Sequence, residues 1–367
     1  MLLFITFCII VGIQIFFYLF LFGAFSFSKV KNGIATSFPV SIVICAKNEE
    51  VNLQKFLPKI ASQKYTSFEI ILVDDASSDN SLSVMLDFKK NFSSNKISIQ
   101  IISIDEKSSK GKKAALTLGI KSSQYDYILL TDADCYPVSN YWIQEMHAYF
   151  TNQKTIVLGY GAYRKIEKSF LNKIIRFETL LTAIQYFSYA KIGKPYMGVG
   201  RNIAYHKKEF MDIDGFKDHE HIHSGDDDLF INQIANFNNT SICFKKDSFT
   251  ISEPKIDFKE WIHQKRRHIT TSSHYKGLHK FLLGLFYLTQ ISFWVFSILL
   301  LALQINVALT LSLIFCRWVI WYLVISKSAI KLNEKDLVSF APIFEISIIF
   351  IQLFIFIKNI ISPPKHW

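Results

Sequence analysis

The apolar segments near the two ends of the chain constrain its structure most. Residues 2–28 contain no charged side chain, and they are long enough to cross a bilayer as a helix. Three further apolar stretches lie near residues 281–303, 305–326 and 339–357. We therefore expect a transmembrane helix at 1–28 and a transmembrane region of three helices at 281–367. The chain is predicted to be an integral, multi-pass membrane protein.

Basic side chains beside these stretches predict the orientation of the chain. Lys29 follows the first stretch instead of preceding it, which disfavours a cleaved signal peptide. Lys327, Lys331 and Lys335 lie around the junction of the last two stretches. Because Lys and Arg accumulate on the cytoplasmic side, we expect the middle of the chain to lie in the cytoplasm, at the inner or plasma membrane.

The overall charge and the cysteines exclude other classes. The formal net charge is +11, and we attribute it to basic residues that face anionic lipid headgroups. No basic and aromatic nucleic-acid module accompanies this charge, so we expect no nucleic-acid partner. The five cysteines show no CxxC spacing, which disfavours a zinc site or a disulfide framework.

The middle of the chain alternates short apolar runs with amphipathic segments. The strand candidates are Val40–Cys45, Glu69–Val73, Ile97–Ile104, Tyr127–Thr131, Ile156–Tyr160 and Ser241–Phe244, and the helix candidates lie near 49–62, 78–91, 111–121 and 139–150. This alternation predicts an α/β domain at 38–255 with a mainly parallel sheet. We expect an interfacial helix at 169–192 and a further interfacial segment at 256–280.

Carboxylates follow two of the predicted strands. In parallel sheets, ligands bind beyond the carboxyl ends of the strands, so these residues are the first candidates for a site. Asp132 and Asp134 follow "YDYILLT" with a spacing that turns both carboxylates to one side, which suits Mg²⁺ or Mn²⁺ bridged to substrate phosphates. Asp74 and Asp75 follow "EIILV". The alternative for both pairs is a strand-to-turn junction in which aspartates bind local amides.

Three other motifs have competing interpretations. Lys112 begins a predicted helix whose N-terminus would attract anions, although a solvated basic loop fits the pattern as well. The sequence "HEHIHSGDDDL" places His219, His221 and His223 before three aspartates. The histidines could bind a metal or act as hydrogen-bonding groups in a loop. The fragments "GYG" and "GVG" lack the third glycine of a dinucleotide-binding fingerprint, and we interpret them as turns.

Taken together, the motifs resemble family 2 glycosyltransferases, the nucleotide-sugar-dependent enzymes of the GT-A fold. The resemblance extends to polysaccharide synthases and ceramide glucosyltransferase-like enzymes. The segments that carry it occur in the expected order over residues 40–268: "VSIVICAKNE", "ILVDDASSDNS", "GKKAALTLG", "LLTDADC", "GRNIAY", "GDDDL" and "QKRRH".

The resemblance implies a donor site. Ala46, Glu49 and Asp75 would contact the base and ribose of the nucleotide, and Lys112 would lie near the uridine or the phosphates. Asp132 and Asp134 would hold Mg²⁺ or Mn²⁺, with Asp134 as the more direct ligand. Asn202 would line the donor-sugar and acceptor region.

The resemblance also assigns the later motifs. Asp227 would be the catalytic base, Asp226 would orient it or bind the acceptor, and Asp228 would lie in the first turn of a helix. Gln264 and Arg267 match a QxxRW motif in which the arginine supports the diphosphate. His268 replaces the tryptophan of that motif, and Lys265 and Arg266 are expected to extend towards lipid headgroups.

These assignments predict an inverting glycosyltransferase that moves a sugar from a nucleoside-diphosphate sugar, most simply a UDP-sugar, to a glycan or lipid acceptor. Four spans are few for a polymer channel, so extrusion would need an export partner or a homo-oligomer. The alternative from another class is a non-catalytic membrane scaffold that retains the fold. A transporter is disfavoured, because the predicted spans carry almost no charge.

Overall fold

The computed structural model describes residues 1–30, 33–34, 37–92, 97–106, 111–222 and 224–362. Its strands are β1 Val40–Ala46, β2 Phe68–Asp75, β3 Ile97–Ile104, β4 Tyr127–Leu130, β5 Cys135–Pro137, β6 Ile156–Leu158, β7 Gly161–Tyr163, β8 Ile203–His206, β9 Thr240–Ile242 and β10 Thr250–Ser252. Its α-helices are α1 Leu2–Phe16, α2 Gly23–Ser26, α3 Glu50–Ala61, α4 Ser81–Phe92, α5 Lys112–Ser122, α6 Trp142–His147, α7 Phe170–Lys191, α8 Lys207–Met211, α9 Asp228–Ile234, α10 Phe258–Thr270, α11 Gly277–Ala302, α12 Val307–Lys331 and α13 Ala341–Ile361. A π-helical turn at Phe17–Phe22 joins α1 to α2, and short 3₁₀ turns lie at Lys217–His219, Lys246–Ser248, Thr271–His274 and Lys335–Phe340.

The chain divides into two compact units. The sheet unit comprises Val30–Glu167 and Gly193–Lys255. The helical unit comprises Met1–Lys29, Lys168–Ile192 and the chain from Ile256 onward. Helix α7 therefore belongs to the helical unit, although its sequence interrupts the sheet unit.

The described part of the sheet unit contains a seven-stranded sheet of order β3-β2-β1-β4-β8-β6-β9. Strands β3, β2, β1 and β4 are parallel, whereas β8 runs antiparallel to both of its neighbours. The predicted α/β class with a mainly parallel sheet is confirmed. A second sheet of order β5-β10-β7 carries residues that adjoin the DxD segment.

Burial on both faces explains why the central strands are continuous apolar runs. Every residue of β2 is buried, and all but one of β1 are. Helices α3, α4 and α6 cover one face and contribute to the core cluster through Leu53, Met85 and Trp142. Strands covered on both faces are rich in Val and Ile and show no alternation of apolar and polar residues, so the sequence predicts them.

Four helical segments of the described chain are long and apolar enough to cross a membrane: Leu2–Ser26, Gly277–Ala302, Val307–Lys331 and Lys335–Ile361. They coincide with the four predicted spans. The predicted near-absence of charge within the spans is wrong at one important place, because an ion pair lies inside the helical unit.

That ion pair belongs to a cluster to which all four spans contribute, here called the polar hub: Gln14, Tyr18, Gln290, Arg317 and Glu345. The Arg317 guanidinium donates to the Glu345 carboxylate, with Nη1 3.1 Å from Oε2, and both side chains are almost fully buried. It also donates to Gln14 Oε1 and Tyr18 Oη, while Gln290 donates to Glu345. Paired charges with satisfied partners are the form in which ionisable residues are tolerated inside a bilayer.

Candidate active site

The carboxyl ends of three adjacent strands form the floor of the candidate site. Ala46 ends β1, Asp75 ends β2, and Asp132 lies two residues after the end of β4. Since β1 lies between β2 and β4, these residues share one edge of the sheet, where ligands of open α/β sheets bind. Ala46 and Asp75 are buried at this edge.

Glu49 lies in the turn after β1, close to the DxD segment. Burial raises the pKa of its carboxyl group, and the charges of Asp134 and Asp132 act in the same direction, while Asn52 donates a 2.6 Å hydrogen bond to Glu49 that opposes them. Glu49 is therefore an electrostatic neighbour of the carboxylates proposed as metal ligands.

Asp132 and Asp134 lie together with Cys135, and one potential ligand atom from each falls within 4.8 Å of the others. Burial and the Asp132 charge raise the pKa of Asp134, so the pair favours an added cation. The Cys135 thiol contacts Ser252 Oγ at 2.8 Å, and burial holds its pKa well above its usual value. The available donors are thus the carboxylate oxygens, the set that suits Mg²⁺ or Mn²⁺, and this cluster can hold a divalent ion.

Lys112 joins this segment to the aspartate triplet. Its Nζ lies 2.8 Å from Asp132 Oδ1 and 2.9 Å from Asp226 Oδ2. Burial alone would lower the pKa of Lys112, but the two carboxylates hold it well above its usual value. The resemblance implied a contact with uridine or phosphates, whereas in this structure the ammonium group bridges two carboxylates.

The three aspartates of "GDDDL" have distinct environments. Asp227 precedes α9 and caps it, because its Oδ1 accepts from the amide of Asp228 at 2.7 Å. Its Oδ2 accepts from the amide of Gly200 at 2.7 Å, so the "GVG" fragment contributes a donor to the site as well as a turn. Asp228 lies in the first turn of α9, where negative charge is favourable. Gly225 has φ +95°, and a Cβ there would lie 2.5 Å from Leu229, so a side chain is excluded just before the triplet.

The pKa values of Asp226 and Asp227 are shifted in opposite directions. Burial raises the pKa of Asp227 to about 7, together with the charges of Asp226 and Asp228. Asp226 is buried too, but Lys112 holds its pKa below the ordinary value. Two neighbouring carboxylates whose pKa values are pushed apart are typical of an acid–base site. Asp227 has the pKa that suits a base near neutral pH.

Asn202 does not occupy the position that the resemblance implies. It is fully buried, and its Nδ2 donates to the carbonyls of Tyr160 and Ser248 at 2.9 and 2.7 Å. Its Oδ1 accepts from Trp142 Nε1 at 2.9 Å. Its amide group therefore braces the core and presents no exposed surface to a sugar.

The adjacent Arg201 was not singled out from the sequence. Its guanidinium lies over the Tyr163 ring and donates to Ser252 Oγ at 3.2 Å. Despite its burial, interactions with Tyr163, Cys135, Asp134 and Asp132 raise its pKa further. An arginine beside the DxD carboxylates is a candidate for binding phosphate, and the only sequence signal was its place in "GRN".

His219, the first histidine of the motif, is not arranged as a metal ligand. His219 is buried, and its Nδ1 lies 3.0 Å from Lys113 Nζ. Burial lowers the pKa of His219 to about 4, with the Lys113 charge adding to the effect. Its neutral ring therefore accepts from a lysine. His221 is exposed, and His223 lies outside the described residues.

Gln264 and Arg267 lie on α10 in the helical unit, three positions apart and hence on neighbouring parts of one helix face. Lys265 and Arg266, which were expected to extend towards lipid headgroups, instead make contacts within the helical unit. Lys265 forms an ion pair with Glu178 of α7 at 2.5 Å, and Arg266 Nε donates to Asn359 Oδ1 of α13 at 2.8 Å. Both basic side chains thus fix α10 within its own unit.

Comparisons with known proteins show which family and fold this chain resembles. Residues 41–213 match the model of a family described as Glycosyl transferase family 2. The poly-beta-1,6-N-acetyl-D-glucosamine synthase of Staphylococcus epidermidis is 34% identical over 95 residues, which are 26% of this chain and 21% of the relative. The synthase of the same description from Staphylococcus aureus strain COL is 32% identical over 95 residues, again 26% and 21% of the two chains. The match thus spans about a fifth of the length of these curated relatives.

One solved structure extends the comparison to most of the chain. The mannosyltransferase PcManGT from Pyrobaculum calidifontis, in complex with GDP-Man and Mn²⁺, aligns with 88% of this chain and 99% of its own. The TM-score is 0.56 at 16% sequence identity, so the likeness is one of fold. The predicted GT-A fold and the resemblance to family 2 glycosyltransferases are confirmed.

Proposed function

We propose that this chain, whose residues 41–213 match the Glycosyl transferase family 2 model, is an inverting enzyme that transfers a sugar from a nucleoside-diphosphate sugar to a glycan or lipid acceptor. The observation that carries the proposal is the arrangement of two carboxylate pairs. Asp132 and Asp134 lie at the end of β4, Asp226 and Asp227 lie at the start of α9, and Lys112 connects them.

In this proposal, Asp227 takes the proton from the acceptor hydroxyl. The hydroxyl oxygen forms a bond to C1 of the donor sugar as the bond from C1 to the diphosphate oxygen breaks, which inverts the anomeric centre. The proton remains on Asp227, and the nucleoside diphosphate leaves with the bonding electrons. A divalent ion, Mg²⁺ or Mn²⁺, held by Asp132 and Asp134 would offset the negative charge of this leaving group.

The remaining residues of the site bind and orient the donor. Ala46 and Asp75 would form the wall around the base and ribose of a UDP-sugar, with Glu49 beside them. Arg201 would contact the diphosphate. Gln264 and Arg267 are proposed, as the resemblance to the QxxRW motif implies, to support the diphosphate. Reaction at the cytoplasmic face of a multi-pass membrane protein, and any export partner or homo-oligomer, belong to the same proposal.

The test is transfer by the full chain in native membranes. Membranes would be incubated with Mn²⁺ and a panel of labelled donors, including UDP-N-acetylglucosamine, UDP-glucose and GDP-mannose, and the product analysed as polymer or lipid. Asp227→Asn should abolish transfer and leave the affinity for UDP and Mn²⁺ within about threefold of wild type. Asp134→Ala should lose the Mn²⁺-dependent part of UDP binding.

The exposed Asp212 of the sheet unit offers a matched control. Asp212→Asn makes the same chemical change away from the site and should leave transfer unchanged. Turnover retained by Asp227→Asn would place the base elsewhere, and transfer by no donor at all would favour the scaffold alternative.

A further inference from the structure

The first two residues of α5 are lysines that hold different parts of the candidate site. Lys112 bridges Asp132 and Asp226, as described above. Lys113, its immediate neighbour, has no role in the proposed chemistry and is nevertheless almost fully buried. Burying an ammonium group costs free energy unless its donors are satisfied, so the partners of Lys113 indicate its role.

Lys113 donates to three acceptors, all in one short loop segment. Its Nζ lies 2.7 Å from the carbonyl oxygen of His219, 2.9 Å from that of Ile222 and 3.0 Å from His219 Nδ1. An ammonium group has three donors, and these acceptors can engage all of them. The loop that leads into Asp226 is thereby fastened to the start of α5.

Helix α5 is itself fixed to the sheet. A Cβ added at Gly119 would lie 2.6 Å from Val43 Cγ1 of β1 and 3.0 Å from Val73 Cγ2 of β2. This close approach is possible only for glycine, and it docks α5 on the two strands that end at Ala46 and Asp75. The start of α5 therefore has a defined position relative to the strand ends.

The two lysines then hold the chain at the triplet and shortly before it. Lys112 holds the Asp226 carboxylate itself, and Lys113 holds the backbone a few residues earlier. Because Lys112 also binds Asp132, the spacing between the DxD carboxylates and the aspartate triplet depends on α5. Catalysis is sensitive to such spacing, since a 1 Å displacement can cost about 100-fold in rate.

We propose that Lys113 is a positioning residue for sugar transfer, holding the His219–Ile222 loop so that Asp227 meets the acceptor hydroxyl. The inference rests on the proposed function for its kinetic consequence, but the loop contact itself can be measured without turnover. It also gives the histidine motif a role, because His219 supplies two of the three acceptors.

The test uses the full chain with Lys113→Met, which keeps the length of the side chain and removes the ammonium group. We expect kcat with UDP-N-acetylglucosamine, or the best donor of the panel, to fall about 100-fold. The KM for the donor and the affinity for UDP with Mn²⁺ should stay within about threefold, because Lys112 and the DxD carboxylates remain. Lys121→Met, an exposed change on the same helix, should leave all three quantities at wild-type values.

Hydrogen exchange separates this inference from the proposed function. Amides of the peptide that covers residues 216–222 should exchange at least tenfold faster in Lys113→Met and at the wild-type rate in Lys121→Met. Should Lys113→Met fail to fold, His219→Ala removes only the ring contact, and it should give about a tenfold lower kcat at unchanged UDP affinity.

Unchanged exchange in Lys113→Met would overturn the inference even if the wild type were inactive. A parallel loss of kcat and UDP affinity would also overturn it, since that result indicates general damage to the site. If Lys113→Met fails to fold, a wild-type kcat in His219→Ala overturns it as well. Absence of transfer by wild type, with faster exchange in Lys113→Met, would instead overturn the proposed function alone.

Discussion

The replacement Asn202→Ala distinguishes a brace in the core from a sugar-binding side chain. In wild type, Asn202 satisfies Trp142 Nε1 and the carbonyls of Tyr160 and Ser248. After the replacement, the Tyr160 carbonyl keeps the amide of Thr250 at 3.2 Å, but the Trp142 and Ser248 groups lose their bonds to Asn202. At about 1–3 kcal/mol for each buried group, the expected destabilisation is about 2–6 kcal/mol.

This magnitude is large enough to measure directly. For a unit of about 200 residues, 1 kcal/mol corresponds to about 2–4 °C in Tm, so the variant should unfold roughly 5–20 °C below wild type. The assay is thermal unfolding of the purified full chain in detergent, followed by UDP binding at low temperature, where the variant is still folded. We expect UDP affinity in the folded variant to stay within about threefold of wild type.

A matched control is Asn238→Ala, because Asn238 is exposed in the same unit. This variant should keep both the Tm and the UDP affinity. The reasoning would be refuted if Asn202→Ala kept the wild-type Tm but lost transfer or altered donor preference, since that pattern belongs to a residue that touches the sugar.

Three further predictions address charge. Asp227 must be deprotonated to act as a base, so kcat/KM should rise with pH through about 7. Asp226→Asn removes a neighbouring negative charge, so this rise in kcat/KM should move to lower pH. An unchanged pH dependence would contradict the electrostatic interaction between Asp226 and Asp227. Arg201→Met should weaken UDP binding with Mn²⁺ about 10- to 100-fold, as measured by calorimetry, and unaltered affinity would exclude Arg201 from the diphosphate. Glu345→Leu should destabilise the helical unit by about 3–5 kcal/mol, because it leaves Arg317 buried and unpaired. The double replacement of Arg317 and Glu345 by leucine should recover much of the stability lost in Glu345→Leu, measured as the half-life of the folded protein at elevated temperature in detergent. No recovery would show that the pair does not act as a unit.

The sequence was most informative where the physical environment is uniform along a segment. All six predicted strands are found. Four of them, β1, β2, β4 and β6, are apolar runs that are mostly buried in the sheet, and the spans are found because lipid requires about 20 apolar residues. The short strands β5, β7, β8 and β10 escaped prediction. Three or four residues give too few positions for a periodic pattern, and tertiary contacts decide their conformation.

The candidate site shows a similar division. Asp132, Asp134 and Asp227 follow from their places after a strand or before a helix. In "GRN", by contrast, the sequence could not reveal that Asn202 points into the core while Arg201 approaches the carboxylates. The bridging position of Lys112 likewise depends on two segments separated by about a hundred residues, and no local pattern records such a contact.

The polar hub has a consequence for biogenesis. Gln14 and Tyr18 leave the ribosome before Arg317, whereas Glu345 leaves it after Arg317. Until then Arg317 has no carboxylate, and a lone arginine in lipid is costly. The hub is therefore complete only once the segment that carries Glu345 has been inserted beside Arg317.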